Sequence, residues 1–273
     1  MCKQCYNTYC LNDFACHQDN IIFAWHQNVV KLLHSGETIQ LLKPIMTCAQ
    51  AISVGNRIFL FNADGIQSFM ELSIHLRSLI ERKSMIAQKW QFSLCSFNNN
   101  IGCIGGSDGV VKSSCEKYDL LCDKWTLLPS MIQKRVYAAV FSYRNSYIYA
   151  LGGFSSKSMD SCTDSMEMLK LGSKYWVNMN IEAHSQLIGG ARYMNAIQIT
   201  NDKILIFGFN KGKGECYYFG MKNHKMIKGS DMEDNGMIKN LIAPVCYGRT
   251  VYSIDNSINT FDVKKSKWSK ITI

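Results

Sequence analysis

The stretch Ile101-Gly-Cys-Ile-Gly-Gly106, with Tyr118 and Trp125 downstream of it, decides the fold. A short apolar run closed by a glycine pair reads as a buried strand with a sharp exit, because glycine accepts a positive φ at no steric cost. Tyr118 and Trp125 flank the polar turn Cys122-Asp-Lys. Their spacing fits two arms of a hairpin that point aromatic side chains to one face of a sheet.

The same pattern returns along the chain. Tyr147-Ile-Tyr-Ala-Leu-Gly-Gly153 is followed by Leu169 and Trp176, and Lys203-Ile-Leu-Ile-Phe-Gly-Phe209 keeps one glycine, Gly208, with Phe219 and Met226 after it. Weaker copies are Arg57–Asn62, Thr250–Asp255 with Phe261 and Trp268, and Asn20–Trp25 with Leu32 and Ile39. An alternating or small-residue run precedes most copies: Cys48–Val54, Gln91–Phe97, Arg135–Tyr143 and Ala191–Ile199. Alternation predicts strands, and small residues suit strands crowded around an axis. Units recurring about every 45 residues match four-stranded propeller blades.

At these residues the chain resembles the kelch family. Gly105-Gly106 with Tyr118 and Trp125 is similar to a full kelch motif, and Gly152-Gly153 with Trp176 to one whose tyrosine is replaced by Leu169. The resemblance implies an all-β, six-bladed kelch-type β-propeller over residues 20–273, with four antiparallel strands per blade and residues 1–19 as a cysteine-rich leader. Gly105, Gly106, Tyr118, Trp125, Gly152, Gly153, Trp176, Gly208 and Trp268 then hold blades together and touch no substrate. The innermost strand of the first unit is expected to come from the leader.

The resemblance also implies a protein-interaction module, an adaptor or scaffold, that binds a partner through loops after the second and fourth strands of each blade. Ser107, Asp108 and Phe154 open two of those loops. Arg135 and Arg192 stand where the chain enters innermost strands, and a guanidinium there would grip an acidic peptide by bidentate hydrogen bonds. The competing reading is that each arginine pairs with a neighbouring blade. Relatives also serve as substrate-recognition subunits of ubiquitin ligases through a BTB domain. With repeats beginning near residue 20, that role here calls for a separate BTB/cullin component. Actin binding, also seen in the family, has no residue-level support.

Composition narrows the remaining classes. The 273 residues are 47% hydrophobic and 19% charged, with 3 prolines, which excludes a disordered chain. No apolar run is long enough to cross a membrane as a helix, and no signal-peptide pattern opens the sequence. The formal charge of +9 comes from lysines and arginines dispersed along the chain, denser at 203–228 and 264–270. Such dispersal argues against a nucleic-acid partner. The 12 cysteines lack the density of a secreted disulfide scaffold and read as reduced residues of a cytoplasmic protein.

Cys2, Cys5, Cys10, Asp13 and His17 resemble the second half of a B-box zinc finger, which implies zinc held by these side chains. The alternative is a leader of free thiols, and the chain otherwise calls for no cofactor. The six histidines are His17, His26, His34, His75, His184 and His224. None pairs with another at metal-ligand spacing, so a copper radical oxidase, the enzymatic comparison within kelch-like propellers, is disfavoured. A nucleophile elbow, a phosphate-binding loop and a His-Glu-x-x-His motif are all absent.

Overall fold

The computed structural model describes residues 23–26, 29–32, 36–42, 48–62, 69–156, 161–181, 191–210, 213–232, 243–254 and 258–271. All regular elements among them are strands. The first three, β1 (Phe23–His26), β2 (Val29–Leu32) and β3 (Thr38–Gln40), form a three-stranded antiparallel sheet. Five four-stranded antiparallel sheets follow. Blade one holds β4 (Cys48–Val54), β5 (Arg57–Asn62), β6 (Phe69–Ser73) and β7 (Ser78–Arg82). Blade two holds β8 (Ser93–Phe97), β9 (Asn100–Ile104), β10 (Cys115–Asp119) and β11 (Lys124–Leu128).

Blade three comprises β12 (Ala139–Tyr143), β13 (Tyr147–Leu151), β14 (Met166–Lys170) and β15 (Val177–Met179). Blade four comprises β16 (Ala191–Thr200), β17 (Lys203–Asn210), β18 (Lys213–Gly220) and β19 (Met226–Lys228). Blade five ends the chain with β20 (Val245–Tyr247), β21 (Thr250–Ile254), β22 (Ile258–Asp262) and β23 (Lys267–Ile271).

The innermost strands β4, β8, β12 and β16, with the start of β20, line one axial channel with a cavity of about 50 Å³. Its walls include Ile52, Leu94, Val140, Ala196 and Val245 with serines between them. Successive residues of each strand point to opposite faces. Each sheet therefore buries one face against the blade before it and the other against the blade after. Phe59, Phe61 and Phe69 of blade one pack on Tyr118 and Trp125 of blade two, with the Phe69 and Tyr118 rings 4.6 Å apart and nearly perpendicular. Cys95 and Phe97, on the other face of blade two, pack with Val140, Ile148 and Trp176 of blade three. Further clusters join blades three and four, around Phe141 and Phe219, and blades four and five, around Phe207 and Trp268.

Among the described residues five four-stranded blades, not six, surround the channel. The amide of Ala243, just before β20, donates to the carbonyl of Ala51 in β4 at 2.9 Å. That contact brings the fifth blade directly onto the first. The unit read from Asn20–Trp25 is the three-stranded sheet, which supplies no channel-lining strand among the described residues. Within it Val30, not Leu32, lies opposite Ile39. The hairpin pair of blade one is instead Leu72 with Leu79.

Candidate functional site

The faces of the propeller follow from strand direction. Turns joining first to second strands and third to fourth strands lie at one end, here called the tip face. Loops after the second strands and linkers after the fourth strands lie at the other, the linker face. The linker face was the expected binding surface, and its local structure repeats between blades two and three. Met85-Ile-Ala-Gln-Lys89-Trp90 and Met131-Ile-Gln-Lys-Arg135-Val136 occupy equivalent places before β8 and β12. Trp90 bridges to Ser107 as Val136 bridges to Phe154, and the following residues, Gln91 and Tyr137, both take positive φ, 58° and 54°.

Each linker is held by a glutamate of the blade it leads into. Glu167, in β14, accepts from the amides of Ile132 at 2.6 Å and Gln133 at 3.0 Å, and pairs with Arg135 at 2.8 Å. Glu116, in β10, accepts from the amides of Ile86 and Ala87 and pairs with Lys89 at 3.5 Å. All four charged side chains are fully buried. The tryptophans complete the attachment: Trp125 Nε1 donates to the carbonyl of Lys83 and Trp176 Nε1 to that of Pro129.

This geometry corrects the reading of Arg135 as a partner-binding residue. Its Nε and Nη2 donate to Glu167, Nη2 also to Ser165 Oγ, and Nη1 to the carbonyls of Gly152 and Ser165. A guanidinium has five N–H donors, and here they are spent inside the protein. Burial pulls its pKa down and Glu167 opposes the shift. Ser107 and Phe154 are likewise buried, the first in the bridge to Trp90 and the second in a small cluster with Val111 and Val136. Asp108 alone of this group is exposed, paired with Lys112 at 3.0 Å. Arg192 lies in β16 opposite Phe209, and its side chain is outside the described residues. Cys2, Cys5, Cys10, Asp13 and His17 also fall outside them.

Gly105 and Gly153 lie just past the ends of β9 and β13. A Cβ on Gly105 would stand 2.3 Å from the Arg135 carbonyl oxygen, and one on Gly153 2.6 Å from that of Val136. Both positions also have positive φ, so the glycine pairs let the next linker press against the end of the second strand. Gly106 and Gly152 are buried beside them, Gly208 is buried within β17, and Tyr118, Trp125, Trp176 and Trp268 are buried in the clusters between blades.

Among the side chains that the linker face exposes, four are large and apolar. Trp90 is 42% exposed, Val110 57%, Ile86 56% and Ile132 55%. The loop 107–114 lies between the two linkers, joined to one through Trp90 and Ser107 and to the other through Lys112 with Arg135 and Ser113 with Met131. It gathers these side chains along one rim, with the Asp108–Lys112 pair beside them. The axial channel offers little chemistry. Cys95 is the one titratable side chain in its lining among the described residues, and burial pushes that thiol far above its ordinary range. Among the described residues no three His, Cys, Asp or Glu side chains are grouped to hold a metal ion. They include no helix long and apolar enough to cross a membrane.

Four-stranded blades around an axis, tied by glycine pairs and by tryptophans bonded to the preceding linker, define a β-propeller of kelch type. A family profile described as Kelch motif matches residues 91–132, which is blade two with the linker that leaves it. Similar proteins include Kelch repeat and BTB domain-containing protein 2 of ectromelia virus (strain Moscow), 33% identical over 98 residues, 34% of this chain and 17% of that protein. Its namesake in cowpox virus (strain GRI-90 / Grishak) is 33% identical over 119 residues, 40% of this chain and 20% of that one. Kelch-like protein 36 of Rattus norvegicus is 33% identical over 86 residues, 29% of this chain and 14% of its own length. The chain thus spans about a fifth or less of each of these relatives. Blade two, with the linker that leaves it, is thus a kelch repeat within this chain.

Proposed function

We propose that this chain is a protein-interaction module that holds a partner on the rim of blades two and three. The observation that carries the reading is the exposed set Ile86, Trp90, Val110 and Ile132 on otherwise rigid linkers. An exposed tryptophan on a fixed backbone supplies large contact area at little entropic cost, and such residues dominate binding energy at protein interfaces. The buried Glu116 and Glu167 anchors hold the linkers in place before a partner arrives. The reading assigns no reaction to the chain and no cofactor to the propeller.

The test is affinity capture from a native extract with the chain and with a Trp90→Asp/Val110→Asp variant whose melting curve matches. Loss of the captured partners in the variant supports the rim; equal recovery overturns it. A second reading comes from the relatives whose names pair kelch repeats with a BTB domain. In it the chain is the substrate-recognition part of a ubiquitin ligase and a separate BTB/cullin component completes it. Recovery of a BTB protein with the wild-type chain and with the rim variant alike would favour that arrangement. The leader is tested separately, by metal analysis. One zinc that leaves with Cys2→Ser/Cys5→Ser would assign it to the finger, and no zinc to a free-thiol segment.

A further inference from the structure

The lysine-rich stretches 203–228 and 264–270 are far apart in sequence, yet the fold brings them together. The topology sends every first-to-second and third-to-fourth turn to the tip face. On blades three, four and five those turns carry Arg144, Lys174, Lys203, Lys222, Arg249 and Lys264, all exposed. Against them the tips of these blades set two carboxylates, Asp202 and Asp262. Each already has a lysine, Lys222 at 2.7 Å and Lys265 at 3.8 Å. Among the described residues the tips of these three blades therefore carry an excess of positive charge.

Between blades four and five this surface opens into a groove of about 650 Å³. Lys203, Arg249 and Lys264 line it together with Thr200, Asn201, Ser266 and the one carboxylate, Asp202, which Lys222 pairs. Its floor is firm. Tyr218 donates to Ser266 Oγ at 3.0 Å, and Ser230 Oγ donates to the Ser266 carbonyl at 2.6 Å, tying the tip of blade five to blade four. Like charges gathered on one side repel one another, and a bound polyanion relieves that repulsion.

We propose that this groove and the tips around it dock an acidic segment of a partner protein. The dimensions admit one extended chain, and the amide and hydroxyls between the cations suit a peptide backbone. A single-stranded nucleic acid would call for stacking platforms in the groove. The aromatic there, Tyr218, is half-buried, with its ring against Phe261 and its hydroxyl on Ser266. This surface lies at the opposite end of the blades from the Trp90 rim, so the two proposals stand or fall independently.

The test uses the full chain and a fluorescein-labelled decaglutamate peptide, followed by fluorescence anisotropy at about 20 mM and about 300 mM salt. Binding is expected at low salt and at least about tenfold weaker at high salt. The charge-reversed variant Lys203→Glu/Arg249→Glu/Lys264→Glu should lose at least about tenfold in affinity. Lys83→Glu/Lys134→Glu, of equal sign and on the linker face, should change it less than about twofold. If the triple variant does not fold, Lys203→Gln/Lys264→Gln takes its place and should lose affinity in the same direction. Absence of salt-sensitive peptide binding overturns the proposal, as does equal loss in the linker-face variant. Tighter binding of a labelled ten-nucleotide oligothymidylate than of the peptide would also overturn it, in favour of a nucleic-acid partner.

Discussion

Replacing Glu167 by alanine removes three interactions at once. The amides of Ile132 and Gln133 lose their acceptor, and Arg135 is left as a buried cation holding only the Gly152 and Ser165 oxygens. Breaking a buried ion pair by deleting one partner costs about 3–5 kcal/mol, because the remaining charge stays desolvated. Two orphaned backbone donors, each worth about 1–3 kcal/mol when buried, place this variant at the upper end. Arg135→Met should cost less, since Glu167 keeps both amides and the methionine fills the space. Urea unfolding followed by tryptophan fluorescence reads the difference. At a slope of about 3 kcal/mol/M, Glu167→Ala should lower the midpoint by more than 1 M and Arg135→Met by visibly less. A Glu167→Ala midpoint within about 0.3 M of wild type would refute the clasp as a determinant of stability. So would a larger loss for Arg135→Met.

Three further outcomes are expected. Gly153→Ala should destabilise by more than about 2 kcal/mol, because the new Cβ meets two backbone atoms, at 2.6 and 3.0 Å. Gly172→Ala has a similar φ, +89°, but open space around it, and should cost only about 1 kcal/mol in the same melts. Burial works to raise the pKa of Glu71, but hydrogen bonds from Arg57 and Arg82 overcome it and hold the carboxyl below its usual range. A depressed carboxylate contributes stability that is complete above its unfolded pKa of about 4.3 and is lost as pH falls through the lower folded value. Acid titration of stability should therefore be shallower for Glu71→Gln than for wild type as pH falls below about 4.3. Finally, a thiol reagent with peptide mapping should label Cys122, which is exposed, well before Cys103, Cys115 and Cys216. Burial pushes the Cys115 and Cys216 thiols up to about 11.

Strand order and blade length were legible because they rest on local chemistry: alternation, glycine pairs and aromatic spacing lie within one unit. Arg57–Asn62 and Cys48–Val54 are strands at the bounds the pattern implies. Blade number was not, because closure is a contact between Ala51 and Ala243, nearly two hundred residues apart, and no periodicity encodes it. Arg135 was misread for a related reason. Its partner, Glu167, lies across the blade, and only the matched placement of Glu116 and Lys89 reveals that both pairs are internal. That signal was present in the sequence, as Glu two residues before Tyr118 and before Leu169, with Met-Ile-x-x-Lys/Arg in each preceding linker. The cationic face was hidden by the same non-locality. Lysines and arginines that look scattered along the chain meet at the tips of blades three to five, because the meander stacks every second turn at one end.

The single amide link from Ala243 to Ala51 has a mechanical consequence. Where a ring is sealed by a strand shared between its first and last sheets, pulling on either end loads a whole ladder. Here, among the described residues, the join carries one backbone bond and a few apolar contacts, while the middle sheets are stapled by ion pairs and indole donors. Such an array behaves as neighbours leaning on neighbours. Fraying should start at that join and travel outward, with blades two and three the last to give way.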